Sequence, residues 1–321
     1  MFYSSLETIQ LDLKSGAVSC TELVQHYLTN IHLHKNLNAF IEVFEEEAIE
    51  QATVIDQKLK DGTAGKLAGM VISIKDVLCY KNHKVSAASK MLESFTALYT
   101  ATAVERLLQE DAIIIGRTNC DEFAMGSSNE NSAFGNVLNG FDSSRVPGGS
   151  SGGAAVSVQM NMCLAALGSD TGGSVRQPAS FCGLVGMKPT YGRISRYGLV
   201  AYASSFDQIG TLTHNLYDAA LLLEIMAGPD EYDSTVASKT VEAYSKKLQP
   251  KEKYSIAFLP EVSTHEKVDA SIRKWMDHFF IQLKSNGHDV APVSFPHLDY
   301  LVPAYYVLTT AEASANLARY D

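Results

Sequence analysis

Two glycine-rich loops hold the residues of this 321-residue sequence best suited to chemistry. Pro147-Gly148-Gly149-Ser150-Ser151-Gly152-Gly153 precedes a helix-like stretch. An apolar run over residues 163–167 then enters Gly168-Ser169-Asp170-Thr171-Gly172-Gly173-Ser174. Glycines let such loops bring backbone N–H groups close to a ligand, which suits a phosphate or an oxyanion. The phosphate reading fails in detail: no Gly-Lys-Ser/Thr follows either loop, and no GxGxxG opens a helix after a strand with an acidic partner downstream. A flexible linker also fits poorly, because both loops lie between compact apolar segments. The oxyanion site is favoured. Ser174, on a tight turn between a strand and a helix, has the setting of an exposed nucleophile beside backbone donors. Such a serine needs a base, and none of the nine histidines is near either loop in sequence. Lys75, ending the run Val71-Ile72-Ser73-Ile74, is the best alternative, since desolvation there favours the neutral amine. The plainer reading of Lys75 is a strand-end lysine snorkelling to solvent. Asp76 reads as a surface or structural carboxylate.

These loops need a frame. Short apolar runs over 70–74, 112–115 and 163–167 alternate with helix-like stretches over 102–109 and 154–160. Their continuity suits strands buried on both faces, hence an α/β sheet covered by helices. Residues 215–226 read as a further buried helix and 254–259 as a further strand, with a polar surface connection over 242–253. The first sixty residues are helical in pattern. Ser19-Cys20-Thr21-Glu22 has the form of a capping box, and Leu23, Val24, Tyr27, Leu28 and Ile31 recur at spacings of three and four. Residues 44–59 form a second helix with acidic residues first and Lys58 and Lys60 at the end. The expected organisation is a helical segment, 1–60, before an α/β core, 61–321, together one domain. The helical pattern of 309–321 stops without a cap, so the chain is expected to end inside a fold.

The composition, 46% hydrophobic and 19% charged, is that of a globular chain. A formal net charge of −10 disfavours direct binding of nucleic acid. Five scattered cysteines with no CxxC pair argue against a disulfide framework and a thiolate metal site, so no metal is expected. The absence of a leader pattern and of a long apolar run points to a cytoplasmic protein without membrane contact.

Lys75, the Gly148–Gly153 loop and the run from Asp170 to Gly198, which opens Asp170-Thr171-Gly172-Gly173-Ser174-Val175-Arg176-Gln177-Pro178, together resemble the amidase signature family. The resemblance extends from Gly69 to about Ser234. The segments Asn119-Cys120-Asp121-Glu122-Phe123-Ala124-Met125-Gly126-Ser127-Ser128-Asn129-Glu130-Asn131-Ser132-Ala133-Phe134-Gly135 and Ala311-Glu312-Ala313-Ser314-Ala315-Asn316-Leu317-Ala318-Arg319-Tyr320-Asp321 are similar to one branch of it, the A subunits of aspartyl/glutamyl-tRNA amidotransferases. The resemblance implies an amidase-signature fold, a central mixed β-sheet covered by helices on both faces and incomplete at the C-terminus. It implies Ser174 as nucleophile, Lys75 as ultimate base, and Ser150, reached through a cis peptide from Gly149, as the proton bridge between them. It further implies an oxyanion hole from the N–H groups of Thr171, Gly172, Gly173 and Ser174, with Asp170 and Arg176 as loop supports. Met125, Gly126 and Ser127 would border a glutamine pocket that Tyr305 or Tyr306 reaches; ordinary packing explains the tyrosines equally well. Glu122 is either a lining of the ammonia exit or, more simply, a structural acid.

The implied activity is that of a glutaminase component in a heterotrimer. Ammonia passes to a B subunit that amidates mischarged Glu-tRNA(Gln) or Asp-tRNA(Asn) with ATP and Mg, a C subunit wraps both, and tRNA is held mainly by the B subunit. No cofactor is expected in this chain. A stand-alone amidase of the same family and a catalytically dead scaffold remain the alternatives. Val71, Val77, Thr211 and His214 replace residues frequent in relatives, which implies tuning rather than loss. Full-length members continue past the Asn316–Asp321 segment, and their groups that grip the glutamine α-carboxylate and α-amino group have no counterpart here.

Overall fold

The computed structural model describes residues 2–320. α1 (Leu6–Ser15) and α2 (Cys20–Leu33) open the chain, followed by β1 (Phe40–Val43), α3 (Glu45–Asp61) and β2 (Val71–Lys75). Next come α4 (Thr102–Gln109), β3 (Ile113–Thr118), α5 (Gly152–Gln159), β4 (Ala165–Asp170) and α6 (Arg176–Phe181). β5 (Val185–Met187), β6 (Gln208–Thr213) and α7 (Leu216–Met226) follow. The last elements are β7 (Ser255–Phe258), α8 (Pro260–Ser263), α9 (Ala270–Ser285), β8 (Asp289–Pro292) and α10 (Leu298–Leu317).

The capping box forms as its residues require. The Glu22 N–H donates to Ser19 Oγ at 3.2 Å, and the Ser19 N–H donates to Glu22 Oε2 at 2.8 Å. That start directs Leu23, Val24, Tyr27, Leu28 and Ile31 inward, where all five are buried. Each contributes roughly 2 kcal/mol of burial, more than the cap's own ~1 kcal/mol. The apolar stripe holds the helix, and the cap fixes where it begins.

A six-stranded sheet in the order β1-β3-β2-β4-β6-β5 forms the frame, with helices on both faces. β2 is parallel to both β3 and β4, whereas β1, β6 and β5 pair antiparallel, so the sheet is mixed. Every residue of β2, β3, β4 and β6 is buried, as the continuous apolar runs require. β1, β5 and β6 are absent from the sequence reading. β5 has three residues and β6, Gln-Ile-Gly-Thr-Leu-Thr, mixes polar with apolar side chains, so neither carries a strong pattern.

The chain divides into two compact units, residues up to Lys247 with those from Thr309 onward, and Leu248–Leu308. This line does not coincide with the sequence boundary at residue 60. The helical start and the six-stranded sheet share the first unit. Within the second, β7 and β8 pair in parallel, and Phe258 stacks on Phe280 of α9 with centroids 4.2 Å apart. All five cysteines are free and buried. Among the described residues no helix is long and apolar enough to cross a membrane, and no group of three or more metal-capable side chains forms.

Asp76 corrects half of its sequence reading, since it is a structural carboxylate and not a surface one. It is 1% exposed and receives Arg117 Nη1 at 2.6 Å, Ser86 N–H at 3.0 Å, Ser86 Oγ–H at 2.5 Å and Ala88 N–H at 2.8 Å. Arg117 also donates through Nε to Glu42 Oε2 at 2.8 Å. Burial opposes the Arg117 charge, but Asp76 and Glu42 outweigh it and push its pKa up. Arg117→Met strands a carboxylate in the interior and is expected to cost about 3–5 kcal/mol, read as a lower urea midpoint. An unchanged midpoint would show that water or another cation replaces the guanidinium.

Candidate active site

The site lies where the carboxyl ends of two neighbouring parallel strands meet, the usual crevice of α/β sheets. The parallel register Ile74↔Leu167 sets Lys75, the last residue of β2, beside the end of β4. Lys75 is wholly buried, and its Nζ lies 2.7 Å from Ser150 Oγ and 2.9 Å from Ser169 Oγ. Burial pushes the Lys75 pKa down, and the nearby Cys120, Asp121, Asp170 and Asp207 oppose this only in part. The snorkelling alternative is therefore corrected: the amine points into the protein, against two hydroxyls. Ser169 escaped the sequence reading. The one signal for it was a polar residue that, with Asp170, follows the apolar start Ala165-Ala166-Leu167-Gly168 of β4.

The two glycine loops are bound to each other. The Ser151 N–H donates to the Ser174 carbonyl at 3.1 Å, and the Gly149 N–H donates to Gln177 Oε1 at 3.0 Å. The Gly149–Ser150 peptide is cis. Gly149 also meets the buried Asp121 carboxylate so closely that an added Cβ would overlap it. Ser174 is 8% exposed, at the start of the turn into α6. Lys75 thus meets Ser150 through its hydroxyl, and Ser174 joins the junction through its backbone carbonyl.

Asp170 and Arg176 support the loop. Arg176 donates through Nε to Asp170 Oδ2 at 3.0 Å and through Nη2 to Oδ1 at 2.9 Å. Asp170 also accepts the N–H groups of Gly173 at 2.9 Å and Val175 at 3.1 Å. Burial alone would raise the Asp170 pKa, but Arg176 and these donors hold it below the usual carboxylate range. This arrangement engages one member of the expected oxyanion hole. The Gly173 N–H is committed to Asp170, so the donors left to that reading are Thr171, Gly172 and Ser174. Gly173 sits at φ +132°, a conformation that side chains rarely adopt, which accounts for the glycine.

Met125 and Ser127 are exposed and Gly126 is half-buried, on a loop folded around Asp121. The Asp121 carboxylate accepts Asn129 N–H at 3.0 Å and Asn131 N–H at 3.2 Å. An added Cβ at Gly126 would overlap that carboxylate, which ties the loop to the same residue that Gly149 touches. Glu122 is half-buried beside them, its N–H donated to the Asn131 carbonyl at 3.2 Å. Tyr305 and Tyr306 lie on α10 within the second unit, with ring centroids 5.5 Å apart. Asp321 lies outside the described residues.

These features define a class: mixed α/β proteins with a buried lysine on a serine, beneath paired glycine-rich loops. The chain belongs to the amidase family, whose model matches residues 22–321. It is 50% identical over 333 aligned residues to the A subunit of the Glutamyl-tRNA(Gln) amidotransferase of Pelodictyon phaeoclathratiforme, covering all of this chain and 68% of that protein. The crystal structure of the A subunit of the Glutamyl-tRNA(Gln) amidotransferase of Thermotoga maritima is 39% identical with a TM-score of 0.81, over 92% of this chain and 63% of that one. The native peptide amidase of Stenotrophomonas maltophilia is 30% identical with a TM-score of 0.88, over 97% of this chain and 66% of that one. The chain therefore spans about two thirds of the length of the relatives it matches.

Proposed function

We propose that the chain is the glutaminase component of a tRNA-dependent amidotransferase. The observation that carries the chemistry is the buried Lys75 amine 2.7 Å from Ser150 Oγ, beside the loop that bears Ser174. Ser174 Oγ attacks the side-chain carbonyl of glutamine while its proton passes to Ser150, whose own proton passes to the neutral Lys75 amine. The carbonyl electron pair moves onto oxygen, facing the N–H groups of Thr171, Gly172 and Ser174. Collapse of this adduct breaks the C–N bond, and the proton held on Lys75 returns through Ser150 to the leaving ammonia. Water then attacks the glutamyl ester, gives its proton along the same path, and releases glutamate and free Ser174. Met125, Gly126 and Ser127 border the glutamine.

The ammonia is consumed by a B subunit, which activates Glu-tRNA(Gln) or Asp-tRNA(Asn) with ATP and Mg and holds the tRNA, while a C subunit binds both. The net charge of −10 suits a chain that leaves the tRNA to its partner. All three act in the cytoplasm. Identity of 50% across the whole chain to the Pelodictyon protein supports this reading over a stand-alone amidase, for which the likeness to peptide amidase speaks. Glutamate release from glutamine, measured for the chain alone and with B and C subunits, tests it. A rise on adding both partners is expected. Rapid turnover of simple amides with no response to the partners would overturn the proposal in favour of the stand-alone amidase.

A further inference from the structure

Resting on that reading of Ser174 and its backbone donors, we infer that Asp207 is a positioning residue that holds the oxyanion loop in place through the Thr171 hydroxyl. The sheet puts the two together. β4 and β6 pair antiparallel with Asp170 opposite Gln208, so the next rung beyond the strands sets Thr171 opposite Asp207. There Thr171 Oγ1–H donates to Asp207 Oδ1 at 2.5 Å. The carboxylate is 3% exposed, and its other oxygen accepts the N–H groups of Tyr202 at 2.8 Å and Ala203 at 3.0 Å. That turn is itself pinned by the last part of α10. Asn316 Nδ2 donates to the Tyr202 carbonyl at 3.2 Å, Tyr202 Oη donates to Thr309 at 2.9 Å, and the Ser205 N–H donates to Glu312 Oε2 at 2.9 Å.

A loop of the form Asp-Thr-Gly-Gly-Ser is a poor platform for aligned donors unless something immobilises it, because its glycines leave the backbone many conformations. Asp170 secures the far side, through Gly173, Val175 and Arg176. On the near side Gly172 has no side chain to tether, and Thr171 is the residue that has one. Asp207 takes it. Two buried carboxylates thus grip the loop from both ends, with exposed Gly172 between them. Fixed donors stabilise developing charge without reorganising as it forms, so loss of the near grip falls on the acylation step.

The 321-residue chain is reacted with a fluorophosphonate probe, and the maximal labelling rate and half-saturating probe concentration are measured for wild type, Thr171→Val, Thr171→Ser, Asp207→Ala and Thr171→Val/Asp207→Ala. Thermal melts check folding. Thr171→Val and Asp207→Ala should each lower the maximal rate tenfold or more with half-saturation within twofold. Thr171→Ser should restore it, and the double variant should be no slower than Asp207→Ala alone. Wild-type rates in Thr171→Val, or a Thr171→Ser as slow as Thr171→Val, would overturn the inference. If Asp207→Ala does not fold, the Thr171 pair decides by the same criteria. A labelled wild type with indifferent Thr171 variants sinks this inference alone; a folded wild type that takes no label at Ser174 sinks the proposed function with it.

Discussion

Ser174→Ala is expected to abolish covalent labelling by a fluorophosphonate, while Ser151→Ala keeps it within a few-fold. Both serines lie in glycine-rich loops and both are buried, so composition does not separate them. Their surroundings do. Ser174 contributes its backbone carbonyl to the junction between the loops, accepting the Ser151 N–H at 3.1 Å, and alanine keeps that bond. Removal of its hydroxyl takes the nucleophile and leaves the architecture. Ser151 Oγ–H instead donates to the Ser169 carbonyl at 3.2 Å, a structural bond whose loss costs about 1 kcal/mol and removes no reacting atom. Intact-mass spectrometry after labelling, with melting temperatures for all three proteins, checks this. A full probe adduct on Ser174→Ala would put the nucleophile elsewhere and undo the assignment.

Lys75→Met is expected to slow acylation by roughly a hundredfold to ten-thousandfold, the usual yield of a positioned base, and to melt no lower than the wild type. Activity and stability separate here because the native fold holds an amine where its charged form is disfavoured. Burial drives the Lys75 pKa below its ordinary value, so over the interval between the folded and unfolded values the unfolded chain binds more protons. Stability therefore rises with pH across that interval, and the penalty is at its full size below the folded value. It fades as pH approaches the ordinary lysine value of about 10.4. Methionine fills the same buried space without that penalty. The melting advantage of Lys75→Met should accordingly be greatest at low pH and shrink towards alkaline pH, while the wild-type acylation rate rises with pH and levels off once the amine is neutral. A gap that widens with pH would mean that Lys75 is a charged, paired lysine and not a base.

Much of the candidate site was legible in the residues. Residue type and spacing single out Lys75, Ser174 and the two glycine loops, and the apolar run over 70–74 places the strand that ends at Lys75 within a residue of β2 (Val71–Lys75). Apolar runs and glycine clusters are local patterns, and local patterns are what a sequence displays directly. Ser169, Asp207 and β6 were missed because each owes its role to a partner far along the chain. Asp207 has no unusual neighbours in sequence; it matters because β6 runs antiparallel beside β4 and begins at Gln208 opposite Asp170, which leaves Asp207 on the next rung, facing Thr171. The engagement of the Gly173 N–H was hidden for a similar reason. Its type and position were right for a donor, but the Asp170 carboxylate folds back across three residues and takes the N–H.

By itself the sequence determined the capped helix that begins after Ser19, the buried strands β2, β3 and β4, the glycine loops and the residues capable of acyl transfer. These follow from hydrophobic period, capping chemistry and side-chain type, all set within a few residues. Tertiary structure alone decided that the Lys75 amine points inward to Ser150 and Ser169, that Asp76 is locked on Arg117, and that Asp170 and Asp207 hold the loop from Thr171 to Ser174. It also drew the division at Lys247 and Thr309; the polar stretch over 242–253 marks the first of these places, and no composition change marks the second. The reason is common to all of these. Desolvation and hydrogen bonding depend on which groups the folded sheet brings within about 3 Å of one another, and that distance is not written in any one stretch of chain.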